Sequence, residues 1–283
     1  MKVHRERLLA AVVDSEAGRH AGREAVRLAA SLGGRLTIVS VVPSYGGNMD
    51  LLHVRNAKQA LIQPHQKVLA EIEQKAKTAK VAVRTILEEG EPFERIVDVA
   101  ESEAADVVIL ARDHGALAER MALGSTAARV IGYTQADVMV VPAGAPIDFS
   151  GLLLTVDGSP HGASAASRAI NLAQAYGGLI RALTVIDVPS EYYLYEPVIQ
   201  DLVDQAGAGL ERIKKQAEET GVSLETLIKH GDAPQVIVDT AREQAATLII
   251  MGSHGRLGLR RLLLGSVVER VLPRSPCPVL VVH

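Results

Sequence analysis

The sequence is poor in the residues that stack on nucleic-acid bases and in those that form disulfides. None of its 283 residues is tryptophan, aromatic residues make up 3%, and the formal net charge is −3. Because single-stranded nucleic acids bind through aromatic platforms and basic surfaces, we expect no nucleic-acid partner. The single cysteine, Cys277, excludes an internal disulfide and a cysteine-rich metal site. We expect Cys277 to be a small buried hydrophobe beside the last strand.

Long apolar runs are also missing. No run approaches the roughly 20 residues that a membrane-spanning helix needs, so we expect no membrane partner. The first apolar run, Leu8 to Val13, stops at Asp14, which is too short for a good secretion signal, so we expect a cytoplasmic, reduced protein. The histidines are scattered, and the spacing of His53 and His65 is not that of metal ligands, so we predict no metal site.

The sequence does contain a long internal repeat. The segment "LLAAVVDSEAGRHAGREAVRLAASLGG" from Leu8 resembles "LLLTVDGSPHGASAASRAINLAQAYGG" from Leu152. Further on, "GEPFERIVDVAESEAADVVILARDHG" from Gly90 resembles "GDAPQVIVDTAREQAATLIIMGSHG" from Gly231. A period of half the chain predicts a duplicated domain rather than a solenoid. We place the domains at 1–143 and 150–283, joined by the Pro- and Gly-rich segment "PAGAPIDFSG".

Strand and helix patterns alternate within each half. In the second half, Leu152 to Val156 is an apolar run of strand length, and Ser159 and Pro160 are typical of a helix start. The pair Gly177-Gly178 ends that helix, and a second strand is predicted from Ala182 to Val188. Continued alternation predicts an α/β fold with two doubly wound domains. Each has a five-stranded parallel sheet flanked by helices, and a pseudo-two-fold relates the two.

A glycine- and arginine-rich segment, "MGSHGRLGLRRLLLGSVVERV", follows the fourth strand of the second half. That is the end of the sheet at which doubly wound folds bind ligands. Gly252 and Gly255 allow close approach of a bulky anion, and Gly265-Ser266 open an apolar helix whose N–H groups suit a phosphate. Between them lie three arginines: Arg256, Arg260 and Arg261. The alternative is a set of turn and cap residues with solvated arginines.

The spacing G-x2-G-x9-G-[S/T], with the aspartate of "TVDGS" after the first strand, resembles the nucleotide-binding pattern of the universal stress protein family. The second half follows that pattern closely and the first half more loosely, so the chain resembles a tandem universal stress protein. The resemblance implies that the second half binds ATP, with Mg²⁺ held through the nucleotide. The residues it implies for this site are Thr155, Val156, Asp157, Val185, Met251, Gly252, His254, Gly255, Gly265, Ser266 and Val267.

The first half departs from the pattern. We align Asp14 with Asp157, His114-Gly115 with His254-Gly255, and Gly124-Ser125 with Gly265-Ser266, which puts Arg112 in the position of Gly252. A shifted register instead puts His114 on the second glycine, and in both registers one glycine is missing. If the backbone there needs positive φ, a side chain costs about 1–2 kcal/mol. We therefore predict weak or no nucleotide binding in this half, unless Arg112 itself contacts a phosphate. The weaker candidates are Asp14, Gly115, Gly124 and Ser125.

The resemblance predicts a stress-response protein that acts as a nucleotide-dependent regulatory module for an unknown protein partner. One alternative is a slow ATP hydrolase or nucleotidyl-transfer enzyme, with Ser266 or His254 as the first residues to test. Another is an interaction scaffold whose pocket is vestigial or takes a small ligand near the tyrosines of "SEYYLYEPV". The apolar last strands, "VMVV" and "VLVV", mediate dimerisation in the resembled family. Here they predict an internal pseudo-dimer, with a homodimer also open.

Overall fold

The computed structural model describes residues 6–44, 57–112, 125–188, 196–255 and 264–283. They fall into two compact units, one ending at Gly144 and the other beginning at Ala145. Several residues singled out above lie outside the described ranges: His53, His114, Gly115, Gly124, the three arginines Arg256, Arg260 and Arg261, and the three tyrosines of "SEYYLYEPV".

The first unit alternates five strands with four helices. These are β1 (Arg7–Ala11), α1 (Glu16–Leu32), β2 (Arg35–Pro43), α2 (Ala57–Thr78), β3 (Ala82–Gly90), α3 (Pro92–Ser102), β4 (Val107–Arg112), α4 (Ser125–Tyr133) and β5 (Asp137–Pro142). The strands are ordered β3-β2-β1-β4-β5, and each neighbouring pair runs parallel.

The second unit repeats the arrangement. Its elements are β6 (Gly151–Thr155), α5 (Pro160–Tyr176), β7 (Leu179–Ile186), α6 (Glu196–Glu219), β8 (Leu224–His230), α7 (Ala233–Glu243), β9 (Leu248–Gly252), α8 (Ser266–Val271) and β10 (Val279–Val282). The parallel order is β10-β9-β6-β7-β8. The predicted α/β class, with two doubly wound halves, is confirmed.

The strands of both sheets carry the core. In β6, Leu152, Leu153 and Leu154 are all buried, on both faces of the sheet, as is expected where helices cover both sides. This explains why continuous apolar runs, rather than alternating ones, mark the central strands. Cys277 is free and buried just before β10, which confirms its predicted role as a small core residue.

The local signals that predicted α5 act in the expected way. Ser159 is its N-cap and accepts a hydrogen bond from the backbone N–H of Gly162 at 3.0 Å, while Pro160 occupies the first turn. Gly177 ends the helix in the left-handed region at φ 75°. The following strand begins at Leu179 rather than at Ala182, because the N–H of Leu179 already bonds to the carbonyl of Ser150 beside β6.

Within the described part of the chain, no helix is both long enough and apolar enough to cross a membrane. The same residues contain no group of three or more histidine, cysteine, aspartate or glutamate side chains arranged to hold a metal ion.

Candidate functional site

A cavity of about 380 Å³ lies at the carboxyl end of the second unit's sheet. β6 pairs with β7 on one side and with β9 on the other, so the chain leaves β6 at the point where the strand order reverses. Loops at such a point diverge to opposite faces of the sheet and leave a crevice between them. The segments after β6 and β9 form the walls of this crevice, and the first turn of α8 completes it.

All eleven residues predicted for the nucleotide site line this one cavity, although they come from four separate segments of the chain. They are Thr155, Val156, Asp157, Val185, Met251, Gly252, His254, Gly255, Gly265, Ser266 and Val267. The lining residues that the sequence did not indicate are Ser159, Gly162, Asp187, Ala233, Ile237, Leu264 and Val268. One of them had a usable signal, because Asp187 follows β7 in the way that Asp157 follows β6.

The Asp157 carboxylate is held at the mouth of the turn after β6. Its Oδ1 accepts the backbone N–H of Ser159 at 3.0 Å, which fixes the side chain against its own turn. Two glycines keep the space beside it open. A Cβ on Gly255 would lie 2.8 Å from Oδ2, and one on Gly162 would lie 3.2 Å from Oδ1. Side chains at these positions would crowd the carboxylate that borders the cavity.

The other two glycines of the motif are required by close backbone packing. A Cβ on Gly252 would lie 2.7 Å from the carbonyl carbon of His161, and one on Gly265 would lie 2.9 Å from the carbonyl oxygen of Ser253. That carbonyl also accepts the N–H of Gly265 at 3.0 Å. Neither glycine is among those with positive φ. The condition of positive φ is therefore not met at Gly252, and the reason for glycine at both positions is steric.

Three histidines of the second unit gather beside the cavity. The rings of His161 and His254 lie 5.5 Å apart, and each Nδ1 is near the Ser253 hydroxyl, at 3.4 and 3.3 Å. The pKa of His283 is lowered to about 4, first by burial and then by repulsion from His161 and His254. Its buried Nε2 has no hydrogen-bond partner among the described residues. His283 therefore stays neutral at physiological pH.

Strand register corrects the alignment of the first unit at Asp14. Ser15 and Ser159 each cap the first helix of their unit, and Gly33 and Gly177 each end it. Counting back two residues from each cap places Val13, not Asp14, in the position of Asp157. The strand pairs Leu8–Val107 and Leu152–Leu248 give the same count. The misalignment arose because Asp14 and Asp157 both end an apolar run, but the run from Leu8 is one residue longer. Asp14 instead bonds to Arg19.

The register of β4 makes a second correction. Val107 pairs with Leu8 as Leu248 pairs with Leu152, which puts Ala111 in the position of Gly252. Arg112, which we had aligned with Gly252, corresponds to Ser253. This agrees with the second of the two registers considered from the sequence, in which His114 takes the position of Gly255. His114 and Gly124 themselves lie outside the described residues. Of the weaker candidates, Ser125 is placed at the start of α4, and Gly115 is not described.

Comparison with known proteins places the whole chain in one family. The model of the universal stress protein family matches residues 4–142 and again 149–283. A universal stress protein of Methanocaldococcus jannaschii is 39% identical over 137 residues, which is 46% of this chain and 80% of that protein. One of Mycolicibacterium smegmatis is 31% identical over 234 residues, covering 81% of this chain and 77% of the other.

A solved structure extends the likeness to the full length. A universal stress protein from Archaeoglobus fulgidus superimposes with a TM-score of 0.78 over 99% of this chain and 97% of its own, at 20% identity. At that identity the likeness concerns the fold, and it agrees with the two family matches in sequence. The repeat, the two parallel sheets and these matches lead to one conclusion: the chain belongs to the universal stress protein family and carries two copies of its domain.

Proposed function

We propose that the second unit binds ATP, with Mg²⁺ held through the nucleotide, and that the chain acts as a nucleotide-dependent regulatory module in a stress response. One observation supports this above the others. The eleven residues that the family pattern implies for nucleotide contacts, drawn from four segments, all line one cavity. Membership of the universal stress protein family supports the stress-response part of the proposal.

The chemistry of the cavity suits the two ends of a nucleotide. Its volume of about 380 Å³ falls within the range of small-molecule sites. Val156, Val185 and Ile237 offer apolar surface on which a base can lie, and the Asp157 carboxylate can accept hydrogen bonds from ribose hydroxyls. Gly255 and Gly265 also line the cavity, and residues without a side chain let a polyphosphate approach the backbone closely.

The proposal is for binding, not for rapid turnover. His254 Nδ1 lies 3.3 Å from the Ser253 hydroxyl. A general base needs a partner that orients it toward a nucleophile. Ser253 is fully buried, so it is poorly placed to act as that nucleophile.

The test is titration calorimetry of MgATP into nucleotide-free protein, comparing the wild type with Asp157→Val. This substitution copies the residue that the first unit has at the same position. We expect it to lower the affinity at least about tenfold, because hydrogen bonds to a charged acceptor contribute roughly 1.5–3 kcal/mol. Asp239→Asn, an exposed carboxylate change on α7, is the matched control and should leave the affinity unchanged.

Two results would contradict the proposal. The first is wild-type protein that takes up no MgATP. The second is binding that Asp157→Val leaves intact, since the nucleotide would then occupy some other part of the chain.

A further inference from the structure

The second unit has another cavity, of about 230 Å³, between α5 and α6. It shares Val156, Asp157, Ser159 and Gly162 with the larger cavity, but its remaining walls are different. The larger cavity is completed by residues of α7, β9 and α8, whereas this one is completed by α5, β7 and α6. Its polar groups include the guanidinium of Arg212 and the hydroxyl of Thr184.

The same location in the first unit can be identified residue by residue. Ala76 of α2 and Ala217 of α6 are both fully buried, and they accept the backbone N–H groups of Val81 and Val222 in the same way. Counting back from these alanines aligns the two helices, while the shared caps Ser15 and Ser159 align α1 with α5. The aligned pairs around the cavity are Asp14 with Gly158, Arg19 with Ala163, His65 with Ala206, Val68 with Gly209, and Glu71 with Arg212.

In the first unit these positions are occupied by large side chains that contact each other. Arg19 donates from Nε to Glu71 at 2.9 Å and pairs with Asp14 through its other nitrogen. Hydrogen bonds to Asp14 and then Glu71 raise the pKa of Arg19. His65 Nδ1 lies 2.8 Å from the Ser40 hydroxyl, which donates its proton to the carbonyl of Val12. The chain thus fills this location with its own paired charges, one arginine and two carboxylates.

In the second unit the same location has smaller residues and neither of the two aligned acids. Gly158, Ala163, Ala206 and Gly209 leave space where the first unit has an acid, an arginine, a histidine and a valine. Arg212 replaces an acid, is an exposed residue, and forms no ion pair or hydrogen bond with any residue that the structure describes.

The hydroxyl of Thr184 also has fewer hydrogen-bond partners than the equivalent hydroxyl of the first unit. It aligns with Ser40, whose hydroxyl is bonded on both sides in the first unit. Thr184 is 9% exposed and lines the cavity, yet its side chain has no hydrogen-bond partner in the described part of the chain. This hydroxyl is therefore available to a polar guest that enters the cavity.

We propose that this cavity is a second ligand site, which takes a small monocarboxylate whose oxygens pair with Arg212. A guanidinium binds carboxylates in a fork geometry, and one guanidinium balances one charge. The Asp157 carboxylate also lines the cavity and repels a second negative charge. At roughly 30 Å³ per water, 230 Å³ corresponds to about eight waters, which suits a small acid and is too small for a nucleotide.

The experiment uses the full chain, without nucleotide, and two probes, propionate and lactate. Saturation-transfer NMR titrations should show saturable binding of at least one probe in the millimolar range or tighter. Arg212→Gln should weaken it at least about tenfold. Lys215→Gln, which removes the same charge from another exposed position on the same helix that does not line the cavity, should have no effect. Because no nucleotide is present, the result is independent of the ATP proposal.

A second variant transfers the filling of the first unit into the cavity. The combined change Ala163→Arg and Arg212→Glu should abolish probe binding with the fold retained, since the first unit has the same ion pair between Arg19 and Glu71. The proposal is overturned if neither probe binds the wild type at concentrations up to about 20 mM, which is about 20 times a dissociation constant of ~1 mM. It is also overturned if Arg212→Gln binds normally, or if inorganic phosphate competes as well as the carboxylates do.

Discussion

A single side chain distinguishes the two units at the turn after their first strand. Asp157 borders the main cavity, whereas the equivalent Val13 is a hydrophobic residue with 45% of its surface exposed. An exposed valine has no acceptor for a ribose hydroxyl. Ala111 in the position of Gly252 adds a Cβ at the next strand end. Both differences support the prediction that the first unit binds nucleotide weakly or not at all, and that prediction awaits a binding measurement.

His283 makes the second unit sensitive to acid. Its pKa is about 4 in the folded chain, below the ordinary value of 6.5. As the pH falls from about 6.5 to about 4, the unfolded chain takes up a proton that the folded chain does not. The free energy of unfolding should therefore fall by up to about 1.4 kcal/mol per pH unit in that window, with no further loss from this residue below it.

We expect His283→Gln to remove this part of the acid sensitivity. Urea unfolding at pH 6.5 and pH 4.5 should show a smaller loss of stability in the variant than in the wild type. His20→Gln, on α1 of the other unit, is the control and should lose as much as the wild type. Equal losses of unfolding free energy in His283→Gln and in the wild type would show that burial of this ring does not lower its pKa.

At the scale of an element, the turn from α5 into β7 depends on two adjacent glycines for different reasons. Gly177 has φ 75° and nothing within 4 Å of an added Cβ, so its need is conformational. Gly178 has no positive φ, but a Cβ there would lie 1.9 Å from the carbonyl oxygen of Phe149. That contact is with backbone, so the strand or the preceding segment must move to relieve it.

We expect Gly178→Ala to destabilise the chain more than Gly177→Ala does. The left-handed strain at Gly177 costs about 1–2 kcal/mol, and the backbone clash at Gly178 should exceed it by at least about 1 kcal/mol. Urea unfolding midpoints of the two variants give the comparison, each serving as the control for the other. Equal losses of stability would mean that the backbone around Gly178 moves to relieve the contact without an additional cost in unfolding free energy.

The elements themselves were largely predictable, because their signals are local. The cap pair Ser159-Pro160, the terminal glycines and the apolar strands each act within a few residues along the chain. The alignment of Asp14 with Asp157 was wrong because it followed apolar runs, and only the hydrogen-bonded register of paired strands counts residues from a fixed point. The cavity residues Ala233 and Ile237 were missed for a related reason, since α7 carries no sign in its sequence of what it faces.

For the whole molecule, the two units predict a stoichiometry of one nucleotide per chain. The second unit has Asp157 and the motif glycines, while the first has Val13 and Ala111 in their places. The same MgATP titration, read for stoichiometry, should give one site. Two sites would show that the first unit binds despite these changes. Pairing of the last strands into a pseudo-dimer or homodimer, a protein partner and a cytoplasmic location stay predictions.

The sequence by itself determined the duplicated α/β architecture, the resemblance to the family and eleven of the residues that line the main cavity. It did so because repeats, strand runs, caps and glycine spacing are written along the chain. Only the tertiary structure decided which residues of the two units are equivalent, why each motif glycine is needed, and that α5 and α6 enclose a second cavity beside Arg212. Those facts depend on distances between atoms far apart in sequence, and packing alone sets such distances.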